Sequence, residues 1–206
     1  MSYTTTIKII QEACDKIVLK LDKNPDGRLV SAVSETAYLA RLKENLPKDS
    51  TVVMPSIRCW YDIMINKIPF NLKITTCGTD NVFNKCAVVY TLTGIEHKNI
   101  KTYNRMYELL SPIKKARVHE TEYHFIVVNK IDGHVIIRSL LDVEYKSNPL
   151  NIIQINWKNE FKTPCLKHEY STQVDKLLTT IQKSLKQYQS SFDKFIAADM
   201  SKLKLQ

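Results

Sequence analysis

Apart from Asn66 and Lys67, three charged or amide side chains interrupt the largely apolar stretch WYDIMINKIPFNLKITT, which spans residues 60–76: Asp62, Asn71 and Lys73. They offer a carboxylate, an amide and an ammonium group. Such groups can together hold a metal ion and neutralise an anion. Their chemistry depends on whether the fold places them side by side.

A hairpin would place these three side chains next to one another. If Ile65 and Ile68 flank a two-residue turn, Asp62 stands opposite Asn71, and Lys73 shares their face. The opposite face would then carry the apolar side chains Ile63, Ile65, Phe70, Leu72 and Ile74. The alternative is an ordinary solvated hairpin face, on which Asp62 and Lys73 form a weak ion pair.

A further carboxylate falls on the apolar face of the helix predicted upstream. At roughly 100° per residue, Glu35 lies within about 40° of Leu39, Leu42 and Leu46. A buried carboxylate needs a partner such as a metal ion or a lysine. Alternatively, the helix start extends past the sheet and leaves Glu35 solvated, where the helix dipole favours it.

This succession of an acidic helix residue, Asp62 in one strand and Lys73 in the next resembles the PD-(D/E)XK nuclease superfamily. More narrowly, YDIMINKIPFNLKIT and TDNVFNKCAVVYTLTG are similar to a subset of type II restriction endonucleases with a T-x-D-N segment and a Tyr-x-Leu-Thr-Gly helix. The similarity covers residues 35–94. Asn71 occupies a position that is usually Asp or Glu. The resemblance implies a Mg²⁺-dependent endonuclease acting on double-stranded DNA at a specific short site.

The residue types suit that chemistry. Hydrolysis of a phosphodiester needs an activated water, charge neutralisation and in-line geometry, which Mg²⁺ held by carboxylates can supply. Asp62 would be the central metal ligand, Glu35 the second anion, and the Leu72 carbonyl a third oxygen. Lys73 would orient the water or stabilise the developing charge. Asn71 would add an uncharged oxygen.

Two other segments are candidates for DNA contacts. The segment SPIKKARVHE either grips phosphates or is a solvated helix end, and it carries Lys114, Lys115 and Arg117. The segment before the apolar helix contributes Asp80, Asn81 and Lys85. Asp80 and Asn81 are most simply an N-cap with turn chemistry, and contact with DNA is the functional alternative.

Helices and strands must position these groups. Apolar spacing predicts helices over residues 4–23 and 29–46, a short strand near 52–54 and the hairpin described above. A helix that is apolar nearly all round should end at Gly94, and another should span 101–115. Two strands around Asp132-Gly133 and a further strand in LNIIQINW follow.

The last element is a long helix at about 171–200. It would be about 45 Å long. Its aromatic stripe of Tyr188, Phe192 and Phe195 is most simply core, with a subunit interface as the alternative. The whole pattern predicts an α/β or α+β fold, in which helices flank a mixed sheet of about five or six strands.

Composition limits the function classes. With 206 residues and 44% hydrophobic content, we expect a single domain over 1–206. A net charge of +9 favours a polyanionic partner such as nucleic acid. No apolar run is long enough for a membrane span, and no signal peptide is evident, so a soluble cytoplasmic protein is expected. The five scattered cysteines predict reduced thiols, and the lack of a P-loop predicts no nucleotide cofactor.

Together these observations predict a type II restriction endonuclease, with Mg²⁺ as cofactor. A homodimer is expected because two sites related by a two-fold axis suit a palindromic duplex. The alternatives are a non-catalytic DNA-binding protein of the same fold, a DNA repair or recombination nuclease, and an interaction protein without nucleic acid.

Overall fold

A computed structural model describes residues 1–18, 27–55, 59–163 and 169–196. The helices are α1 (Tyr3–Asp15), α2 (Gly27–Asn45), α3 (Lys85–Thr93), α4 (Tyr103–Leu109), α5 (Trp157–Lys162) and α6 (Tyr170–Ile196). The strands are β1 (Val52–Val53), β2 (Ile63–Ile65), β3 (Ile68–Thr75), β4 (Thr79–Asn81), β5 (His124–Asn129), β6 (Val135–Ser139), β7 (Tyr145–Asn148) and β8 (Ile152–Asn156). Short 3-10 helices lie at His119–Thr121 and Leu140–Asp142.

The main sheet has five strands in the order β1-β2-β3-β5-β6. β3 and β5 run parallel, and the other neighbours are antiparallel. Every residue of β5 is buried, as expected for a central strand covered on both faces. The mixed sheet and its flanking helices confirm the predicted α+β class.

The two faces of this sheet bury different residues. One face packs against α1 and α2, and its side chains are Ile63, Ile65, Phe70, Leu72, Ile126 and Val128. The other face contributes Phe125, Val127 and Ile136 to a core shared with α3, β8 and α6. Because side chains alternate along a strand, Asn71 and Lys73 lie on this second face, which the α1 and α2 helices do not cover.

A second, three-stranded sheet has the order β4-β8-β7, and both of its strand pairs are antiparallel. Its inner side chains Ile153 and Ile155 belong to the same core as Leu177 and Ile181 of α6. The strands β4 and β7 are polar and have no pattern of hydrophobic residues, so the sequence predicted only β8.

Helix α3 is buried nearly all round, as predicted, and it ends at Gly94 with φ of 76°. Its N-cap is Asn84, whose side chain accepts hydrogen bonds from the amides of Cys86 and Ala87. The N-cap predicted at Asp80 and Asn81 is therefore wrong. These two residues lie in β4 and pair with β8.

Several helix limits differ from the prediction. α4 ends at Leu109, well before residue 115, because Pro112 disfavours helical backbone at the residue before it. α1 ends at Asp15, and part of the predicted extension, residues 19–23, lies outside the described residues. α6 confirms the predicted last helix as far as Ile196, while 197–200 lie outside.

The aromatic stripe of α6 is not core in this chain. Tyr188 is 48% exposed and Phe192 is 51% exposed, so that prediction is wrong for both, and the side chain of Phe195 is not described. The four described cysteines are free thiols, and Cys165 lies outside the described residues. Within those residues, no helix has the length and apolar character needed to cross a membrane. The single-domain organisation stays a prediction.

Candidate active site

A tight turn between β2 and β3 fixes the position of Asp62. Asn66 and Lys67 both have positive φ, 49° and 69°, as a type I′ turn requires. The Asn66 side chain also accepts a hydrogen bond of 3.0 Å from the Thr51 amide, which anchors the turn. Ile65 pairs with Ile68, so the predicted turn and register are confirmed.

Asp62 lies just before β2, outside the paired residues, and its side chain contacts Asn71 directly. The Asp62 amide donates to the Phe70 carbonyl at 2.9 Å although Phe70 is paired with Ile63, so the register slips by one residue just before β2. Asn71 Nδ2 donates to Asp62 Oδ2 at 2.6 Å, and the Leu72 amide donates to the same oxygen at 2.8 Å. The structure therefore joins the predicted carboxylate and amide in direct contact.

The Asp62 carboxylate is half-buried, and its charge is only partly compensated. Burial raises its pKa above the ordinary value, although the Leu72 amide and the Lys73 charge act in the opposite direction. Both hydrogen bonds go to Oδ2, and among the described residues none donates to Oδ1. One oxygen of this carboxylate thus stays available to a ligand.

An aromatic cluster that includes Tyr123 lies near Asp62. Trp60 lies 5.0 Å from Tyr90 and 5.7 Å from Tyr123 between ring centroids. Burial is the largest cause that raises the pKa of Tyr123, and the negative charge of Asp62 is the second largest. Sequence reasoning missed Tyr123, because it lies far along the chain and belongs to no motif around Asp62. The only available signal for Tyr90 was the Tyr-x-Leu-Thr-Gly segment.

The helix that carries Glu35 packs on the face of the sheet opposite to that of Asn71. Glu35 is half-buried on α2, whose side chains Tyr38, Leu39 and Leu42 pack on the face formed by Ile63, Ile65, Phe70 and Leu72. The Asp62 contact with Asn71 lies on the opposite face. Metal ligation by Glu35 gains no support from this arrangement and stays a prediction.

The oxygen atoms around Asp62 suit Mg²⁺ in type. Asp62 and Asn71 have side-chain oxygens and Leu72 has a carbonyl, which are hard donors of the kind Mg²⁺ prefers. In the described segments, no three acidic, histidine or cysteine side chains gather as a metal site. Mg²⁺ is commonly bound through one or two carboxylates together with waters and substrate phosphates. The residues fit such a site, which would depend on the substrate to complete it.

The predicted phosphate contacts are in different environments. Lys115 is exposed, whereas Lys114 is half-buried and donates from Nζ to Thr121 Oγ1 at 2.9 Å. Burial lowers the pKa of Lys114. Arg117 is only 15% exposed at its side chain and is paired with two carboxylates, which disfavours its predicted role on DNA.

The segment around β4 presents its residues differently. Asn81 is exposed and its Oδ1 accepts a hydrogen bond of 2.8 Å from Gln154, while Asp80 is half-buried on the other side of the strand. Lys85 lies over the Tyr103 ring at 4.5 Å and donates to the Lys101 carbonyl at 3.2 Å. DNA contact by Asp80, Asn81 and Lys85 stays a prediction.

A second polar cluster, the Arg117 network, consists of Arg117, Glu122, Asp142, Ser139 and His124. The Arg117 guanidinium donates two hydrogen bonds to each carboxylate, at 2.8 and 2.9 Å to Glu122 and at 2.8 and 2.7 Å to Asp142. Ser139 also donates to Glu122. Burial would raise the pKa of Glu122, but these donors hold it below its ordinary value. Satisfied charge of this kind is structural in character.

The comparisons give no family for this chain. Neither a protein-family model nor a curated protein sequence matches it. The geometry of the hairpin and the net charge of the chain are therefore the features from which a function can be inferred.

Proposed function

We propose that the protein is a Mg²⁺-dependent endonuclease that hydrolyses double-stranded DNA at a specific short site. The observation that carries the proposal is the Asp62 site, in which a half-buried carboxylate contacts Asn71 and keeps one oxygen available beside Lys73. A carboxylate whose pKa is raised by burial and whose charge is left partly uncompensated is a common feature of functional sites. The resemblance to restriction endonucleases and the net charge of +9 agree with this substrate.

Each side chain has a defined task in this proposal. Asp62 Oδ1, with the Asn71 and Leu72 oxygens, would hold Mg²⁺, which when bound supplies a polarised water and neutralises the scissile phosphate. The Asn71 and Leu72 N–H groups orient the Asp62 carboxylate. Lys73 carries a positive charge toward the phosphate and stabilises the negative charge that develops there. The aromatic wall of Trp60, Tyr90 and Tyr123 limits water, which strengthens these interactions.

Plasmid cleavage tests the proposal. The purified protein with supercoiled plasmid and Mg²⁺ should give discrete fragments, and EDTA should prevent cutting. Asp62→Asn and Lys73→Met should each lower the cleavage rate by roughly 100-fold or more, while duplex binding is kept. Asp49→Asn and Lys43→Met remove the same charges from exposed positions and serve as controls. Undiminished cutting by the site variants would refute the assignment.

A second candidate function is DNA binding without cleavage. The observation that favours it is Asn71 itself, an amide that donates to Asp62 where a second carboxylate would add charge for the metal. A protein of this kind would bind duplex DNA and leave it intact in Mg²⁺ and in Mn²⁺. The plasmid experiment, combined with a binding measurement, separates it from the nuclease.

We also propose a homodimer, for which the exposed part of α6 offers a surface. The rings of Tyr188 and Phe192 stack with their centroids 6.5 Å apart and are about half exposed. Sedimentation equilibrium should give twice the mass of the chain, and Phe192→Lys should weaken the association. Gln187→Lys, an equal charge change at an exposed position on the same helix, is the control. A monomeric wild-type protein would exclude the dimer.

A further inference from the structure

The outer face of the three-stranded sheet carries a row of polar side chains. Asn81 in β4 is directly opposite Gln154 in β8, which is directly opposite Lys146 in β7. Asn81 and Lys146 are exposed and Gln154 is half-buried. The inner face, by contrast, holds the fully buried Ile153 and Ile155 against α6. The row is therefore on the side of the sheet that faces away from the core.

Hydrogen bonds hold the amides of this row in place. Gln154 Nε2 donates to Asn81 Oδ1 at 2.8 Å. Asn148 Nδ2 donates to Gln154 Oε1 at 3.2 Å, and the Asn148 side chain is itself fixed by the amides of Leu150 and Asn151. The Gln154 amide is thus positioned from both sides. An ordinary solvated side chain would have to be ordered when a ligand binds, and this one is ordered already.

The positioned amides keep hydrogen-bonding capacity. Gln154 has a second N–H on Nε2 and a second lone pair on Oε1, and Asn81 has both N–H groups of its Nδ2. One donor next to one acceptor is the pattern that adenine presents in the major groove at N7 and N6, and Gln or Asn matches it bidentately. Within these three strands, the only carboxylate is that of Asp80, whose strand position faces inward with Ile155. The residues of the three strands thus present no carboxylate on this face.

The dimensions agree with such a contact. Neighbouring strands are about 4.8 Å apart, so the row from Asn81 to Lys146 is about 10 Å wide. The major groove is about 12 Å wide. Eight residues separate Lys73 from Asn81, which limits the distance between their Cα atoms to about 27 Å. The row thus lies within one turn of duplex, about 34 Å, of the Asp62 site.

We propose that this row contacts base edges in the major groove of the DNA substrate, with Gln154 bound to an adenine. Asn81 contacts the neighbouring base, and Lys146 contacts a phosphate at the end of the row. The inference rests on the proposed function. It names the residues that determine which DNA sequence the nuclease selects.

Selection from a randomised duplex library tests it. The full chain, in Ca²⁺ or EDTA to prevent cutting, should enrich a defined site that contains an A·T pair. Gln154→Ala should lose the preference at that one position and bind the selected site roughly 10- to 100-fold more weakly. Its binding to random duplex should stay the same. Lys146→Ala should weaken binding to all sequences, with a salt dependence reduced by about one counterion.

Thr79→Ala is the matched control, because Thr79 is exposed on the same outer face but pairs with Asn156 in a different row. Thermal unfolding shows whether Gln154→Ala is folded, and Asn81→Ala at an exposed position tests the row if it is not. Unchanged selection by both variants would overturn the inference, as would an equal loss on all sequences. If the wild type cuts DNA in Mg²⁺ without any site preference, the row and the proposed site specificity both fail, while the assignment of the Asp62 site to DNA hydrolysis survives. Failure to bind any duplex would overturn both.

Discussion

Asp62 and Glu122 are both carboxylates at the start of main-sheet strands, and the fold treats them in opposite ways. Glu122 is completely buried, yet its pKa is held below the ordinary value because Arg117 and Ser139 donate to it. Asp62 is only half-buried, yet its pKa is raised, because the Leu72 amide and Lys73 do not offset burial. The partners of a carboxylate, more than its depth, determine whether its charge is already compensated or available for chemistry.

The largest expected effect is the loss of the partner in the compensated region. Arg117→Met leaves Glu122 and Asp142 buried without their guanidinium, and we expect unfolding to become easier by about 3–5 kcal/mol. Urea unfolding at pH 7 measures this. Arg105→Met is the control, because its ion pair with Glu108 is well exposed and should contribute about 1 kcal/mol or less. Similar losses in the two variants would remove the distinction between the network and a surface pair.

The difference between the regions also explains what the sequence could predict. Asp62 and Asn71 lie nine positions apart on either side of a two-residue turn, so a hairpin is enough to bring them near each other. The Arg117 network joins residues up to 25 positions apart across a 3-10 helix and two strands, and no periodic pattern connects them. For the segment KKAR, the sequence consequently offered only a phosphate grip or a solvated helix end, and the ion pairs of Arg117 were missed. The second sheet was missed for a similar reason, since its edge strands are polar and are specified by pairing with β8.

The second largest expected effect is the dependence of the protein's stability on pH, which His124 of the Arg117 network should cause. His124 is fully buried, and its Nε2 contacts the Tyr3 hydroxyl at 3.0 Å. Burial lowers its pKa from 6.5 to about 4, against the charges of Glu122 and Asp142. Between these values the unfolded chain binds a proton that the folded chain does not, so stability falls as the pH decreases. The loss from pH 6.5 to pH 4 should be about 3 kcal/mol.

Chemical denaturation across pH 4–7 measures this slope. His124→Gln can keep the contacts with Tyr3 and the Glu122 carbonyl but cannot titrate, so its stability should change less over the same interval. Glu122, whose pKa is lowered, adds a loss at still lower pH in both proteins. Parallel curves for wild type and variant would mean that His124 does not cause the slope.

The Asp62 region should respond in the opposite direction and more weakly. Because the raised pKa means that folding disfavours the charged form, Asp62→Asn should keep the stability at pH 7 or raise it by up to about 1 kcal/mol. The new amide oxygen can still accept the Leu72 N–H group. As the pH falls through the folded pKa, the wild type should become equal to the variant. Thermal unfolding at pH 7 and pH 4 tests this, and a destabilisation like that of Arg117→Met would make Asp62 structural.

The smallest expected effect is that of replacing Asn71, the amide that lies between Asp62 and Lys73. Asn71→Asp places a second carboxylate against Asp62 Oδ2, where Nδ2 now donates at 2.6 Å, and like charges at this distance repel. In EDTA the variant should lose about 1 kcal/mol, because Lys73 offsets only part of the added charge. Added Mg²⁺ should restore the lost stability and bind more tightly than to the wild type, since a second carboxylate attracts a divalent cation.

Asn151→Asp, in the turn before β8, makes the same change away from the site and is the control. Calorimetric Mg²⁺ titration of the three proteins gives the answer. Superimposable curves for wild type and Asn71→Asp would exclude Asn71 from a metal site and leave the hairpin contact as structure alone.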